Sequence, residues 1–124
     1  MKLLLAVDGS RHARRMLTYV VSNELLFRPE YGYTLFHAHT DGGTGQASST
    51  LDDAAQFMRG YGFAPQCLQM PGEPAPLLVR TAAELQCNLL IMGCRGQSAI
   101  ESMVLGSVTA EVLARSHVPV LVVR

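Results

Sequence analysis

The sequence predicts a single α/β domain: an open, twisted sheet of five parallel strands with helices on both faces. Three observations lead to this fold class. Short apolar runs alternate with segments of helical periodicity along all 124 residues. The runs are apolar at successive positions, which is typical of parallel strands buried on both faces. The length suits one hydrophobic core and is too short for two.

The N-terminal segment predicts one strand–turn–helix unit. The apolar run Leu3–Val7 predicts a buried strand, and the turn Asp8-Gly9-Ser10 ends it. Beyond the turn, apolar residues recur at helical spacing from Ala13 to Val21, with arginines on the opposite side. Ser10 is a residue type that caps helix N-termini, so the helix is expected to begin directly after it.

The middle of the chain predicts two further strands and two helices. Tyr33–His39 is rich in aromatic and β-forming residues, and the Gly-, Ser- and Thr-rich stretch Thr40–Thr50 predicts a loop. A helix is expected over Leu51–Tyr61, and a weaker edge strand over Pro65–Met70. Pro74 then opens a helix with an apolar inner face.

The C-terminal part repeats the alternation. Asn88–Met92 predicts a buried strand, Glu101–Ser116 an amphipathic helix, and Val118–Val123 a closing strand. Strands joined through helices require right-handed crossovers and give a doubly wound parallel sheet. In such sheets ligands bind beyond the carboxyl ends of the strands, where the strand order reverses. The loops after the first and fourth strands are therefore the candidate binding segments.

Charge, cysteine content and hydropathy exclude several classes of partner and location. Ten basic and ten acidic residues give zero formal net charge, which argues against nucleic acid or a membrane surface as partner. Cys67, Cys87 and Cys94 form no CxxC pair, and the first two are expected in the core. Asp8 interrupts the apolar start, and no run approaches the roughly 18 apolar residues of a membrane span. We expect a cytoplasmic protein.

The segment Gly93-Cys94-Arg95-Gly96, with Gly106-Ser107 further on, carries the strongest chemical signal. Glycines let main-chain N–H groups approach phosphate oxygens, and a following helix adds unpaired N–H groups of its own. Ser107 offers a hydroxyl group, and Arg95 a positive charge. Turn formation explains Gly93 and Gly96 without a ligand, and close packing within a helix explains Gly106. The spacing alone leaves both interpretations open.

Three further groups also have two interpretations. Asp8 suits either a ribose hydroxyl or the cap of the first helix. His37 and His39 face the same side of a strand, as two metal ligands would. No third ligand has recognisable spacing, so packing or hydrogen bonding is favoured there. Cys94 beside Arg95 is either a redox-sensitive thiol or a small filler residue, and the filler is favoured.

The spacing Gly93-x2-Gly96-x9-Gly106-Ser107 resembles the nucleotide-binding signature of the universal stress protein family. Leu3–Ser10 is similar to that family's opening strand and turn, and Val118–Arg124 to its closing strand. The resemblance implies strand order 3-2-1-4-5 and ATP as the ligand. Cys94 and Asn88 depart from common family choices, but neither change removes a phosphate donor.

The resemblance also implies a role for each candidate site residue. By position, Asp8 meets the ribose, while Val7 and Ala38 border the adenine. Arg95 is added to the phosphate contacts from its charge alone, and the other phosphate-holding residues are Gly93, Gly96, Gly106 and Ser107. No metal site built from protein ligands is expected. Mg²⁺ is expected only as a companion of the triphosphate, held chiefly by phosphate oxygens.

Three functions fit these features, and the first is favoured. The first is a regulatory protein whose conformation or partner choice changes with ATP occupancy, and which forms a homodimer through Val118–Val123, as members of the resembled family commonly do. The second is a nucleotide-cleaving or nucleotidyl-transferring enzyme. Because the sequence has no Walker-type motif or obvious paired carboxylates, ATP hydrolysis is expected to be slow at most. The third is a dimerisation module without a ligand, which the intact signature argues against.

Overall fold

Five strands and four helices alternate along the residues that the computed structural model describes, 1–39, 44–94 and 106–124. The strands are β1 (Lys2–Ala6), β2 (Gly32–His39), β3 (Gln66–Pro71), β4 (Leu89–Gly93) and β5 (Val120–Val123). The helices are α1 (Arg11–Ser22), α2 (Thr44–Arg59), α3 (Pro74–Glu84) and α4 (Ser107–Arg115). All neighbouring strands are parallel, in the order β3-β2-β1-β4-β5. The predicted fold class and strand order are confirmed.

The sheet separates two apolar cores. Alternate residues of β1 face opposite sides: Leu3 and Leu5 pack with α1 and α2, and Leu4 packs with α3 and α4. Because β1 and β4 lie inside the sheet with helices on both faces, their sequences are apolar at successive positions. None of the helices within the described ranges is long and apolar enough to span a lipid bilayer.

Helix α1 begins where the sequence predicts. The Ser10 hydroxyl accepts a hydrogen bond from the Ala13 main-chain N–H at 3.2 Å, as a helix cap does. Asp8 Oδ1 accepts a bond from the Ser10 N–H at 2.9 Å. Gly9 lies between them with φ +80°, a conformation that glycine adopts without strain. This turn holds the start of α1 at the end of β1.

Helix α2 begins at Thr44, so the loop predicted over Thr40–Thr50 is wrong from residue 44 onward. Leu51 is buried against the sheet, whereas Gly45 and Ser48 are exposed. Once a helix has formed over its buried part, each further residue adds a hydrogen bond at small cost. Polar residues at the start of α2 therefore extend the helix beyond the part that is buried against the sheet. The predicted loop residues 40–43 lie outside the described part of the chain.

The last helix, α4, corresponds to the C-terminal part of the helix predicted over Glu101–Ser116. It begins at Ser107 and ends at Arg115, one residue before the predicted end. The predicted helical residues 101–105 lie outside the described part of the chain.

Two of the three thiols lie where packing predicts, and one does not. Cys67 is exposed, so its predicted place in the core is wrong. Its strand β3 is at the sheet edge, with β2 as its sheet neighbour, and less of the molecule covers it. Cys87 is buried as predicted, and burial raises the pKa of its thiol. Cys94 is buried as well, which agrees with the favoured role of a small filler.

Candidate functional site

The carboxyl ends of β1 and β4 lie side by side where the strand order reverses. β1 pairs with β2 on one side and with β4 on the other. After β1 the chain continues into α1 on one face of the sheet, and the helix that follows β4 in the described residues, α4, lies on the other face. Loops that diverge in this way leave a crevice between them, which is the usual ligand position in such sheets.

An apolar cleft of about 170 Å³ opens at this crevice. Buried apolar side chains from three different elements line it, namely Phe36, Leu78 and Met92. Val7 and Ala38, the residues expected to border an adenine, line the same cleft. A flat, largely apolar ring system is the kind of ligand that such a lining accommodates.

A second space of about 190 Å³, called here the α4 recess, adjoins the apolar cleft. Gly106 and Ser107 line it at the start of α4, and His12 lines it from α1. Asp8 and Gly93 line both the cleft and the recess, so the two spaces share a border. Together they form one elongated site with an apolar part and a part rich in main-chain groups.

Every predicted site residue within the described ranges lines one or both of these spaces: Val7, Asp8, Ala38, Gly93, Gly106 and Ser107. The tertiary structure therefore brings together residues from four separate segments. Arg95 and Gly96, also predicted to hold phosphates, lie outside the described residues. The role of each of the eight residues toward a ligand stays a prediction.

The start of α4 presents main-chain N–H groups to the recess. The first helical bond runs from the Ala110 N–H to the Gly106 carbonyl at 3.0 Å, so the N–H groups of Ser107, Val108 and Thr109 precede the helical ladder. Gly106 is the N-cap, with φ +86° and ψ 153°, and has no side chain to cap them. This backbone conformation is essentially restricted to glycine. The alternative that Gly106 packs inside a helix is wrong, because it precedes α4.

Gly93 has a packing role that the sequence did not reveal. A Cβ atom at this position would overlap the main-chain carbonyl of His12 and lie 3.2 Å from the Ala13 nitrogen. Main-chain atoms cannot move aside by a rotamer change, so α1 packs on the end of β4 only because residue 93 has no side chain. This contact is a reason for glycine at position 93 that does not depend on a ligand. The support for a phosphate role is its place on the border of both spaces.

The His37 side chain ties two strand ends together beside the apolar cleft. Its Nδ1 lies 2.6 Å from the Val7 carbonyl oxygen. Because a carbonyl only accepts, Nδ1 carries the proton and donates. The favoured interpretation of His37 as a hydrogen-bonded residue is confirmed. Within the described ranges, no group of three or more His, Cys, Asp and Glu side chains is arranged to hold a metal ion.

Sequence reasoning missed His12 and the apolar lining of the cleft. Leu78 fits the apolar inner face of its helix, but periodicity does not tell which part of a helix borders the ligand edge of the sheet. For His12 a signal was available: it lies two residues after the Ser10 cap, on the helical turn nearest to Asp8. A side chain on that turn is close to whatever occupies the crevice.

Comparisons with known proteins relate this architecture to one family. Residues 1–124 match the model of the universal stress protein family. Universal stress protein Slr1230 of Synechocystis is 32% identical over 124 residues, which cover 99% of this chain and 42% of that protein. A universal stress protein crystallised with cAMP is 25% identical with a TM-score of 0.79, covering 100% of this chain and 96% of the other. A family protein from Arabidopsis thaliana with AMP bound has a TM-score of 0.84 at 14% identity, covering 99% and 90% of the two chains. The chain spans about half the length of the first curated relatives that it matches.

Proposed function

The chain belongs to the universal stress protein family, and on this premise we propose that it is a regulatory protein that binds ATP in the apolar cleft and the α4 recess. Occupancy of the site changes its conformation or its choice of partner. The observation that carries the proposal is the shared border of the two spaces at Asp8 and Gly93. A nucleotide has the same division, since its base is flat and largely apolar and its phosphates are anionic.

The base and the sugar occupy the cleft side of the site. Val7 and Ala38 border the adenine there, above the buried Phe36, Leu78 and Met92. Asp8 meets the ribose: its Oδ1 accepts from the Ser10 N–H, and Oδ2 retains the capacity to accept from sugar hydroxyls.

The phosphates occupy the recess side. The N–H groups that precede the helical ladder of α4 are donors for anionic oxygens, and the Ser107 hydroxyl adds one more. Gly106 keeps side-chain atoms out of the open space beside it, and Gly93 borders the recess without a side chain. Arg95 and Gly96 complete the set in this proposal, and Mg²⁺ accompanies the triphosphate through phosphate oxygens.

Two structural neighbours support an adenine nucleotide. A universal stress protein that is 25% identical to this chain is described in complex with cAMP. The Arabidopsis thaliana neighbour is described with AMP bound. Both ligands share adenine, ribose and a phosphate group. ATP is our proposal for this chain because its glycine and serine spacing resembles the family's nucleotide-binding signature, which implies that ligand.

The identity of the ligand is tested by purifying the protein without added nucleotide, denaturing it and analysing the released small molecules by mass spectrometry. We expect intact ATP. Release of ADP or AMP instead would favour a nucleotide-cleaving enzyme on the same fold. An empty protein that also fails to bind ATP on titration would contradict the proposal and favour a module without a ligand.

We also propose that two copies associate through the closing segment Val118–Val123. β5 lies at the sheet edge next to β4. The Pro119 carbonyl accepts from the Leu90 N–H and the Val123 carbonyl from the Cys94 N–H. Because alternate residues of a strand direct their main-chain groups to opposite sides, those of Val120 and Val122 face away from β4. A second copy of β5 can pair with them.

The Val122→Pro variant tests this arrangement, since proline removes an outward N–H while leaving the bonds to β4 in place. We expect sedimentation velocity to show a dimer for the wild type and a monomer for Val122→Pro. The Val122→Ala variant shortens the same side chain but keeps the N–H, so it should remain dimeric. A monomeric wild type at micromolar concentration would contradict the arrangement.

We propose the cytoplasm as its location. Cys67, Cys87 and Cys94 are all free thiols. Free cysteines, one of them exposed, are typical of proteins in a reducing compartment.

A further inference from the structure

His12 is one of the residues that line the α4 recess, and neither composition nor periodicity had placed it there. His12 belongs to the first turn of α1 and lines the recess with Asp8, Gly106 and Ser107. It is half-buried, and its main-chain carbonyl is the group that packs against Gly93. That main-chain contact holds the residue at the end of β4, so the position of His12 in the recess follows from the packing of α1 on the sheet.

One ring nitrogen of His12 already has a partner. Nδ1 lies 3.2 Å from Nη2 of Arg15, one helical turn further along α1. A guanidinium group has only donors, so the interaction is a hydrogen bond only when Nδ1 is the acceptor. The proton of the neutral imidazole is then on Nε2. Arg15 therefore holds His12 in the tautomer whose remaining nitrogen is a donor.

We propose that His12 is a phosphate-binding residue of this site and that Arg15 is the residue that positions it. The inference rests on the proposed nucleotide function. In it, Nε2–H donates to a phosphate oxygen across the recess from the start of α4. The group that His12 recognises is anionic and belongs to the phosphates of the nucleotide. Adenosine has no phosphate and therefore lacks this group.

Other charged groups around α1 are placed differently. Asp8 and Cys94 line the same recess from the loop after β1 and the end of β4. On the side of α2, Arg14 stacks over the Phe57 ring at 4.0 Å, and Asp53 lines a separate groove together with Arg11 and Arg14. Beyond β5, Arg124 is engaged in an interaction of its own. Arg15 is the group that contacts the His12 ring directly.

The first test compares ligands with and without phosphate. Isothermal titration should show ATP affinity falling about tenfold in His12→Ala, the usual effect of losing a hydrogen bond to a charged group. Adenosine affinity should stay unchanged. His12→Gln, which keeps an N–H donor at a similar reach, should restore most of the ATP affinity. His117→Ala is the control, since this exposed histidine follows the other end of α4.

The second test concerns the role of Arg15. ATP affinity is measured for Arg15→Met in the wild-type background and in the background carrying His12→Ala. Because Arg15 acts through the His12 ring, we expect Arg15→Met to weaken ATP binding several-fold in the first background and to have no further effect in the second. Arg15→Lys, which keeps an N–H donor, should retain most of the ATP affinity. Equal losses from Arg15→Met in both backgrounds would overturn the positioning role.

The outcomes separate this inference from the proposed function. If the wild type binds ATP and His12→Ala binds it equally well, the inference is wrong and the proposed function stands. An equal loss of adenosine and ATP affinity in His12→Ala would also overturn it, because the effect would then be structural. If the wild type binds neither ligand, both proposals fall.

Discussion

The Gly106→Val variant is expected to lose measurable ATP binding while keeping its fold. Gly106 has φ +86° and ψ 153°, and a valine cannot hold this conformation without strain. Relieving the strain turns the first residues of α4 and moves their N–H groups away from the phosphates. The new side chain also enters open space, since no atom of the described residues lies within 4 Å of a Cβ at this position, and that space adjoins the recess. Titration calorimetry measures the binding, and circular dichroism the fold.

Gly62→Val is the matched control for this experiment. Gly62 has φ +91°, and within the described part of the chain nothing lies within 4 Å of an added Cβ atom there, but it lies between α2 and β3 at the opposite edge of the sheet. Strain of this kind costs about 1–3 kcal/mol at either position, less than the unfolding free energy of a typical domain. The control should therefore bind ATP normally. Unchanged affinity in Gly106→Val would remove the phosphate-binding role of the α4 start.

The Gly93→Ala variant is expected to lose stability, and to do so with no ligand present. The added methyl group would overlap the His12 carbonyl, so α1 must move away from the end of β4. Overpacking against atoms that cannot change rotamer costs about 3 kcal/mol, the upper part of the usual range. For a domain of this size the melting temperature should fall by roughly 10 °C. Thermal unfolding followed by circular dichroism gives the value.

Gly45→Ala is the matched comparison, and its expected effect on stability has the opposite sign. Gly45 is an exposed residue of α2, and among the described residues nothing lies within 4 Å of an added Cβ there. Alanine there removes a glycine from a helix, which is neutral or stabilises by up to about 1 kcal/mol. If Gly93→Ala melted at the wild-type temperature, the close contact between α1 and β4 would be contradicted. The contrast between the two variants isolates the steric effect from the change of residue type.

The glycines of this one sequence motif are thus required for different physical reasons. Gly93 is required by the approach of a helix to a strand end, and Gly106 by a backbone conformation. Both reasons hold before any nucleotide binds. Residues that border a phosphate site can therefore be needed first for the fold and then for the ligand. Stability measured without nucleotide, beside affinity, distinguishes the two requirements.

Local patterns predicted much of this molecule correctly. The predicted strand boundaries agree with the observed ones within two residues. For β1 and β4 the reason is that strands buried on both faces are continuous apolar runs. The Ser10 cap and the turn at Asp8 are equally local features. The strand order came from the resemblance of three segments to a known family. Where local pattern failed, as at Thr44–Thr50 and Cys67, the outcome depended on helix propagation or on the place of a strand at the sheet edge.

By itself, the sequence determined the fold class, the segments that carry the candidate site and the chemical types available in them, because these depend on short-range periodicity and residue type. Only the tertiary structure decided that Asp8 and Gly93 border both spaces, that His12 lines the recess in contact with Arg15, and that Gly93 has no room for a side chain. Those facts depend on how far α1 approaches β4. That distance is decided by packing between residues about 80 positions apart, and no local pattern contains it.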